Sequence, residues 1–233
     1  PRPDGSLPRQ FHDHAHASVR AVLTVEPPAD ASLRHGLFAR PGRYPAVIRF
    51  SKGFFEGGEP DVCGMAIKVS GVEGDVCEGA LPGQQDFVLM DQPTFLVPGA
   101  PDMAAVFAEL DGDGPMTMMK LAAPRYVFPR GRPWRVRWGY PKALMSIAWA
   151  DLTGGGLARR TYHSATPYRL GDGAVKYLFR PDAATRRIAG GRRKPGPGLQ
   201  AALDRGPVGF DFLIRQRRGD AEPIDDATVA WKG

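Results

Sequence analysis

Two short stretches decide the fold: residues 44–51, Tyr-Pro-Ala-Val-Ile-Arg-Phe-Ser, and residues 64–70, Gly-Met-Ala-Ile-Lys-Val-Ser. Both contain β-branched and aromatic side chains over a length typical of strands. The stretches at 17–25 and 85–90 have the same character, and Gly- and Pro-containing segments separate all four. The first 90 residues therefore predict four successive strands.

The middle of the chain predicts three helices, at 101–110, 115–123 and 140–151. Two further strands are predicted near the end, at 174–181 and 210–217. Between these two strands we predict a basic Gly/Pro-rich loop at 187–198 and a short helix at 199–204. Strands followed by helices and again by strands are typical of an α+β domain with a mainly antiparallel sheet or barrel.

The composition excludes several classes of protein. Of the 233 residues, 42% are hydrophobic, which is enough for a sizeable core and argues against disorder. The 29 Gly and 23 Pro show no Gly-x-y period, which excludes collagen and favours a turn-rich fold. No apolar run has the length of a membrane-spanning helix. Cys63 and Cys77 are too few for a disulfide framework, so we expect free thiols and a cytoplasmic location.

Charge is distributed unevenly along the chain. Residues 1–124 carry 10 Lys/Arg and 16 Asp/Glu, whereas residues 125–233 carry 21 and 9. Basic clusters at 125–137 and 186–194 raise the hypothesis of nucleic-acid binding, since Arg makes bidentate contacts with phosphate. We rank this hypothesis last, because no nucleic-acid-binding motif is present and the second cluster falls in the predicted loop.

Three of the five histidines stand together, as His12, His14 and His16, just before the first predicted strand. Imidazoles at this spacing can bind a metal on a strand or a turn. The spacing alone favours a simpler interpretation of each histidine, in which it lies in an exposed polar arm and binds no ligand. The histidines gain meaning only together with the motifs that follow.

Five short motifs occur in a fixed order: Arg-Gln-Phe-His at 9–12, Ile-Arg-Phe-Ser-Lys-Gly at 48–53, Pro-Asp-Val-Cys-Gly-Met-Ala-Ile-Lys-Val at 60–69, Gln-Asp-Phe-Val-Leu-Met-Asp-Gln-Pro-Thr-Phe at 85–95 and Asp-Asp-Ala-Thr-Val-Ala-Trp at 225–231. This series resembles the catalase superfamily, in particular its small bacterial catalase-related haem peroxidases. The resemblance runs from about Arg9 to Trp231. It implies an α+β fold in which an antiparallel β-barrel of the catalase type has helices inserted between its strands.

The resemblance also implies roles for individual residues. His12 matches the distal acid–base that takes a proton from one peroxide oxygen and returns it to the other. Ser51 matches the serine that hydrogen-bonds this imidazole and fixes its tautomer. Arg9 and Arg49 match the arginines that bind haem propionates, because guanidinium pairs well with carboxylate. The alternative for Ser51 is an ordinary strand-end serine. The alternative for Arg9 and Arg49 is an ordinary surface role.

The pocket itself contains one substitution relative to the family. Asp91 occupies the position of the distal Asn, and Met90 or Gln92 takes that place if the alignment shifts by one residue. An Asn amide donates a hydrogen bond to peroxide, whereas an ionised Asp cannot. We count Asp91 with the catalytic candidates, and we expect Phe95 and Met103 to form apolar walls against the cofactor.

Two further positions depart from the family pattern. Cys63 stands where relatives usually have Arg before the Gly. The proximal iron ligand of the family is a Tyr preceded by Arg in an Arg-x-x-x-Tyr pattern, and none of the six tyrosines here has Arg four residues before it. The metal ligand is therefore unassigned. Relative to the family we expect the chain to be incomplete at its C-terminus, and the alternative is a shortened member that binds haem differently or not at all.

These observations lead to one leading hypothesis and one alternative. The leading hypothesis is a haem b-dependent, catalase-like oxidoreductase that acts on hydrogen peroxide or an organic hydroperoxide. It has an N-terminal arm (1–16) with the distal His, and a single barrel domain (17–233). The alternative is a haem-free barrel that binds a small ligand or partner without peroxide chemistry. Related catalases assemble through extended arms, so a homo-oligomer is one hypothesis, but the oligomeric state stays open. No membrane or nucleic-acid partner is expected.

Overall fold

A computed structural model describes residues 12, 14–53, 61–110, 139–153, 155–190 and 195–232, without the side chains of 106–110, 139, 140, 151 and 195. The first four strands form an antiparallel meander: β1 (Ala15–Val25), β2 (Gly42–Lys52), β3 (Cys63–Ser70) and β4 (Gln84–Met90). All four predicted strands in this part of the chain are confirmed, with ends that differ by one or two residues.

The second half of the sheet is built around a central strand. It contains β5 (Tyr162–His163), β6 (Tyr168–Leu170), β7 (Gly173–Pro181) and β8 (Phe210–Gln216). Strands β5 and β6 lie along the same edge of β7, where β5 pairs with Phe179 and β6 pairs with Val175. Strand β8 pairs with the opposite edge of β7. The pair Met90 and His163 joins the two halves through β4 and β5.

The expected catalase-type barrel is wrong. The eight strands form an open antiparallel sheet. Within the described chain, each end strand has a neighbour on one side only: β1 pairs with β2, and β8 pairs with β7. These two end strands border a cavity of about 740 Å³ instead of hydrogen-bonding to each other. Leu199 and Leu203 from a helix after β7 also line this cavity, so apolar side chains occupy part of the space between the end strands.

Helices connect the strands at two places. Between β4 and β5 lie α1 (Ala100–Leu110) and α2 (Gly139–Thr153), which confirm two predicted helices; the prediction at 115–123 lies outside the described residues. Between β7 and β8 lie α3 (Ala183–Ile188) and α4 (Pro195–Leu203). The predicted loop at 187–198 is wrong where it overlaps them, since α3 reaches Ile188 and α4 begins four residues before the predicted helix.

One face of the sheet carries the core and the other carries the polar residues of interest. Phe50, Met65, Ile67, Phe87 and Tyr177 are buried on the inner face. On this face Phe87 and Tyr177 pack edge to face with ring centroids 5.2 Å apart. The alternation of a strand sends every second residue to the opposite, outer face.

The described helices include none with both the length and the apolar character needed to cross a bilayer.

Candidate functional site

A row of four residues crosses the outer face at one level of the sheet. Ser51 on β2 is the cross-strand partner of Gly64 on β3, which pairs with Met90 on β4, which pairs with His163 on β5. Directly paired residues of antiparallel strands point to the same face. Three of the motifs that the sequence singled out therefore meet in one line with β5.

His12 packs on the first two members of this row. Its Nδ1 lies 3.0 Å from the Ser51 hydroxyl oxygen. The imidazole also covers Gly64, where a Cβ would come within 2.6 Å of Nδ1 and 2.7 Å of the Ser51 hydroxyl. Only a residue without a side chain leaves room for the ring, which explains the glycine in this motif.

The backbone of His12 is held in an unusual conformation. Its φ is +52°, in the left-handed region that non-glycine residues seldom adopt. Two contacts stabilise this conformation: the amide N–H of His12 donates to the Gly53 carbonyl at 2.9 Å, and Arg49 Nη2 donates to the His12 carbonyl at 2.6 Å. Strained residues held this firmly are concentrated at functional sites.

The surroundings of His12 keep its imidazole neutral. Burial lowers the pKa of His12 below its ordinary value of 6.5, the positive charge of Arg49 lowers it further, and the Lys52 backbone partly opposes both. A neutral imidazole near pH 7 can accept a proton. The adjacent hydroxyl of Ser51, which is buried, can donate or accept a hydrogen bond, so it suits either tautomer.

The two arginines expected at the propionates have different outcomes. Arg49 lies beside His12 and binds its backbone carbonyl, which makes it a positioning residue for the imidazole. Its expected contact with a propionate is a prediction that the protein atoms alone do not test. Arg9 lies outside the described residues.

Asp91 is directed into the protein interior and pairs with Arg160. One carboxylate oxygen binds Arg160 Nη1, and the other accepts the Cys63 amide N–H at 2.9 Å. Its own amide N–H donates to the Cys63 carbonyl at 2.9 Å. Burial raises the pKa of Asp91, while Arg160 and the Cys63 N–H oppose that rise. Both carboxylate oxygens thus serve internal contacts that fix the start of β3.

The neighbours of Asp91 border a cavity on the outer face. The cavity measures about 220 Å³ and lies between the segment after β4 and the helices α1 and α2. Phe95 and Met103 line it together with Met90 and Gln92, and their expected contact with a cofactor stays a prediction. Eight of its thirteen lining residues are apolar. Because Met90 is also the partner of Gly64, the cavity extends from the edge of the His12 site.

A second polar cluster lies farther along the same face. His163 lines a small cavity with Lys176, Arg215 and Trp231. Burial lowers the pKa of His163 to about 4, and the charges of Arg215 and Lys176 contribute. Lys176 Nζ lies 5.1 Å from the centroid of the Trp231 ring and donates to the Val229 carbonyl at 3.3 Å. These contacts fasten the C-terminal motif onto the sheet.

The described residues fit the side of a haem on which peroxide would bind better than the side on which the protein would supply an iron ligand. The His12–Ser51 pair and the apolar cavity suit the side on which peroxide would bind. Burial raises the pKa of Tyr162, Tyr168 and Tyr177, so their surroundings by themselves favour the neutral phenol. The hydroxyl of Tyr162 donates to the Leu157 carbonyl at 2.9 Å. In the described ranges no three His, Cys, Asp or Glu side chains are grouped as a metal site.

Sequence reasoning missed Arg160 and the role of Gly64. Arg160 pairs with a residue 69 positions away, and no local pattern signals such a contact. Gly64 belongs to the motif at 60–69, but no local pattern indicates that the His12 imidazole packs on it.

The other sequence observations have simpler outcomes. Cys63 and Cys77 are free thiols, one buried and one exposed, as expected. Of the basic clusters, Arg186 and Arg187 lie in the last turn of α3, whereas 125–137 and 191–194 lie outside the described residues.

No known protein-family model matches the chain, and no curated protein sequence matches it either.

Proposed function

We propose that this protein is a haem-dependent oxidoreductase that acts on hydrogen peroxide or an organic hydroperoxide, with His12 as the acid–base group. The observation that carries the proposal is the placement of His12, which is strained in its backbone, neutral in its side chain and paired with Ser51 over Gly64. The resemblance of the surrounding motifs to catalase-related peroxidases supports the same chemistry.

In this proposal His12 moves one proton within the bound peroxide. The imidazole accepts the proton of one oxygen and returns it to the other, so that the second oxygen leaves as water or an alcohol. Ser51 serves both steps, because its hydroxyl oxygen accepts a hydrogen bond from Nδ1–H, which leaves the other ring nitrogen free to take the peroxide proton and return it. Arg49 holds the backbone of His12, and burial together with the positive charge of Arg49 lowers the pKa of His12, which favours a neutral imidazole between turnovers.

A bound haem would supply the redox chemistry of oxygen–oxygen bond cleavage, which no protein side chain provides. Phe95, Met103 and Met90 are the described residues that would contact it or the substrate, since they line the adjacent cavity.

The test compares His12→Gln with His14→Gln after reconstitution with haem. His14 is the matched control because it lies two residues away and is exposed. We expect a Soret band in all three proteins and a loss of peroxide consumption of about 100-fold or more in His12→Gln alone. The proposal is wrong if the protein does not bind haem, or if His12→Gln consumes peroxide as fast as the wild type.

A second candidate is a haem-free protein that binds a small ligand or partner. The pairing of Asp91 with Arg160 favours it, because a residue at the family's distal amide position is used for internal structure. This candidate predicts ligand binding without a Soret band and without any effect of His12 on peroxide.

A further inference from the structure

The cavity between the end strands β1 and β8, here called the inner cavity, leads from solvent into the core. Its volume of about 740 Å³ falls within the range of small-molecule sites and far exceeds the voids of a close-packed interior. Phe50 and Ile67 line it and are only 1% and 3% exposed, whereas Val22 at its rim is 57% exposed. The inner cavity therefore has an open rim and a deeply buried floor.

The lining of the inner cavity is apolar except at the rim. Apolar side chains contribute 20 of its 25 lining residues. Its four polar side chains, on Arg20, Thr24, Glu26 and Asp211, all belong to exposed residues. Water in the interior would find no polar side chain among the described lining residues, so an apolar occupant suits the space better.

The inner cavity is elongated along the end strands. Every residue of β1 from 19 to 26 lines it, which corresponds to about 23 Å of strand. On the opposite side, β8 contributes all of 210–214. A long, narrow apolar space fits an unbranched alkyl chain better than a compact ring.

The two ends of the rim carry opposite charges. Arg20 and Glu26 lie six residues apart on β1, at a separation of about 20 Å. Neither has an ion pair within the described part of the chain. The charge of Asp211, by contrast, is balanced by Arg180 at 3.4 Å. A carboxylate would be attracted to the Arg20 end and repelled from the Glu26 end, so an occupant with one terminal carboxylate fits the rim.

A β-strand from a partner protein is the other occupant that unpaired edges would accept. The first turn of α4 obstructs it, because a Cβ on Gly196 would lie 3.1 Å from the His16 carbonyl oxygen of β1. Leu199 of the same helix lines the inner cavity and is 2% exposed. Since α4 packs against the start of β1, an added strand would have to displace this helix.

We propose that the inner cavity binds a long-chain monocarboxylate, whose alkyl chain lies between β1 and β8 and whose carboxylate lies at the rim near Arg20. This inference goes beyond the proposed function. The site lies on the inner side of the sheet and uses neither haem nor the imidazole of His12.

Dodecanoate is a suitable probe, and isoleucine methyl NMR would locate it. Ile48, Ile67 and Ile214 line the inner cavity. Ile147 lines the separate 220 Å³ cavity, and Ile224 is 58% exposed. We expect the methyl signals of the first three isoleucines to shift with dodecanoate and those of the other two to stay in place.

Two further probes test the shape and the charge of the site. Octanoate should bind at least tenfold more weakly than dodecanoate, because it buries four fewer CH₂ groups. Dodecanedioate has the same chain length but a second carboxylate, which would meet the apolar lining or Glu26. It should also bind at least tenfold more weakly than dodecanoate.

The variant Ala21→Phe should fill part of the inner cavity and reduce dodecanoate affinity at least tenfold, because Ala21 is half-buried in its lining. Ala184→Phe is the matched control, since Ala184 is exposed on α3 and does not line the cavity. If Ala21→Phe does not fold, the three probes and the methyl shifts of the wild-type protein still decide the question.

The variant Arg20→Gln tests the position of the carboxylate. It should weaken dodecanoate binding about two- to fivefold, as expected for an exposed charge contact. Arg169→Gln is the control, because Arg169 is exposed on β6 and does not line the inner cavity. Equal losses in the two variants would show that net charge, and not a contact with Arg20, attracts the probe, which would overturn this placement.

Three other results would overturn the inference: a methyl shift at Ile147 in place of Ile48, Ile67 and Ile214, equal affinity for dodecanoate and octanoate, or unchanged binding in a folded Ala21→Phe protein. All measurements use the full chain without added haem, and His12→Gln should bind dodecanoate like the wild type. A failure here therefore leaves the His12 proposal intact, and a failure of the haem experiment leaves this one intact.

Discussion

Gly64 lies directly beneath the imidazole of His12, and a methyl group at this position would come within 2.6 Å of Nδ1. This contact connects the N-terminal histidine to the start of β3. Ser51 completes the arrangement from β2 at 3.0 Å. The proposed acid–base site thus depends on three segments. The N-terminal segment supplies the imidazole, β2 supplies the hydroxyl, and β3 supplies the space for the ring.

Gly64→Ala should displace the imidazole from Ser51. The added methyl group cannot fit below the ring, so we expect the pKa of His12 to rise toward 6.5 as the ring moves into solvent. The free energy of unfolding should fall by about 1 kcal/mol, at the low end of overpacking effects, because a side chain can move aside. Histidine NMR titration and urea denaturation measure these changes.

Gly173→Ala is the control, since the nearest atoms to its Cβ position lie 3.7 and 4.0 Å away. An unchanged His12 titration in Gly64→Ala would show that the contact does not position the ring.

Ser51→Ala should slow peroxide turnover by about fivefold without changing haem content. This magnitude corresponds to one hydrogen bond of about 1 kcal/mol between the hydroxyl and Nδ1. Ser51→Thr should restore much of the rate, because it returns the hydroxyl. Steady-state kinetics would check this result, with Ser70→Ala at the exposed end of β3 as the control. Equal rates in Ser51→Ala and wild type would contradict the role of the hydroxyl.

Removing one member of the Asp91–Arg160 pair should destabilise the protein strongly. Both side chains are buried, so Asp91→Leu removes the carboxylate that pairs with a buried guanidinium and should lower the free energy of unfolding by about 3–5 kcal/mol. The double variant Asp91→Leu/Arg160→Met should recover much of this loss, since no buried charge remains. Urea unfolding of the four proteins would measure the coupling, and strictly additive losses would argue against a coupled pair.

The depressed pKa of His163 should make stability depend on pH. Above pH 6.5 this group is neutral in both the folded and the unfolded chain. As the pH falls toward 4, the unfolded chain binds a proton first, so the folded state loses stability by about 3 kcal/mol in total. His163→Gln should remove this part of the loss.

Urea unfolding of wild type and His163→Gln at pH 7 and pH 4.5 isolates the effect from other titrating groups. The fall in unfolding free energy between the two pH values should be smaller in the variant. The same fall in both proteins would mean that His163 is accessible to protons in the folded state.

The strands and two of the helices were predictable because their signals are local. Alternation and β-branched residues located β1 to β4, β7 and β8. Short elements escaped prediction: β5 has two residues and β6 has three, too few for a period to show. The helix α3 had a visible signal in Asp182, whose side chain accepts the Thr185 N–H as an N-cap.

The sequence was sufficient to locate six of the eight strands, to show that three motif-bearing strands follow one another, and to make His12 and Ser51 candidates for one site. Tertiary structure alone decided that the sheet is open, that Asp91 faces Arg160, and that Gln92 reaches the cavity. The physical reason is the range of the interactions. A strand is specified by neighbouring residues, whereas edge pairing, a buried ion pair across 69 positions and the space above a glycine depend on segments distant in the chain.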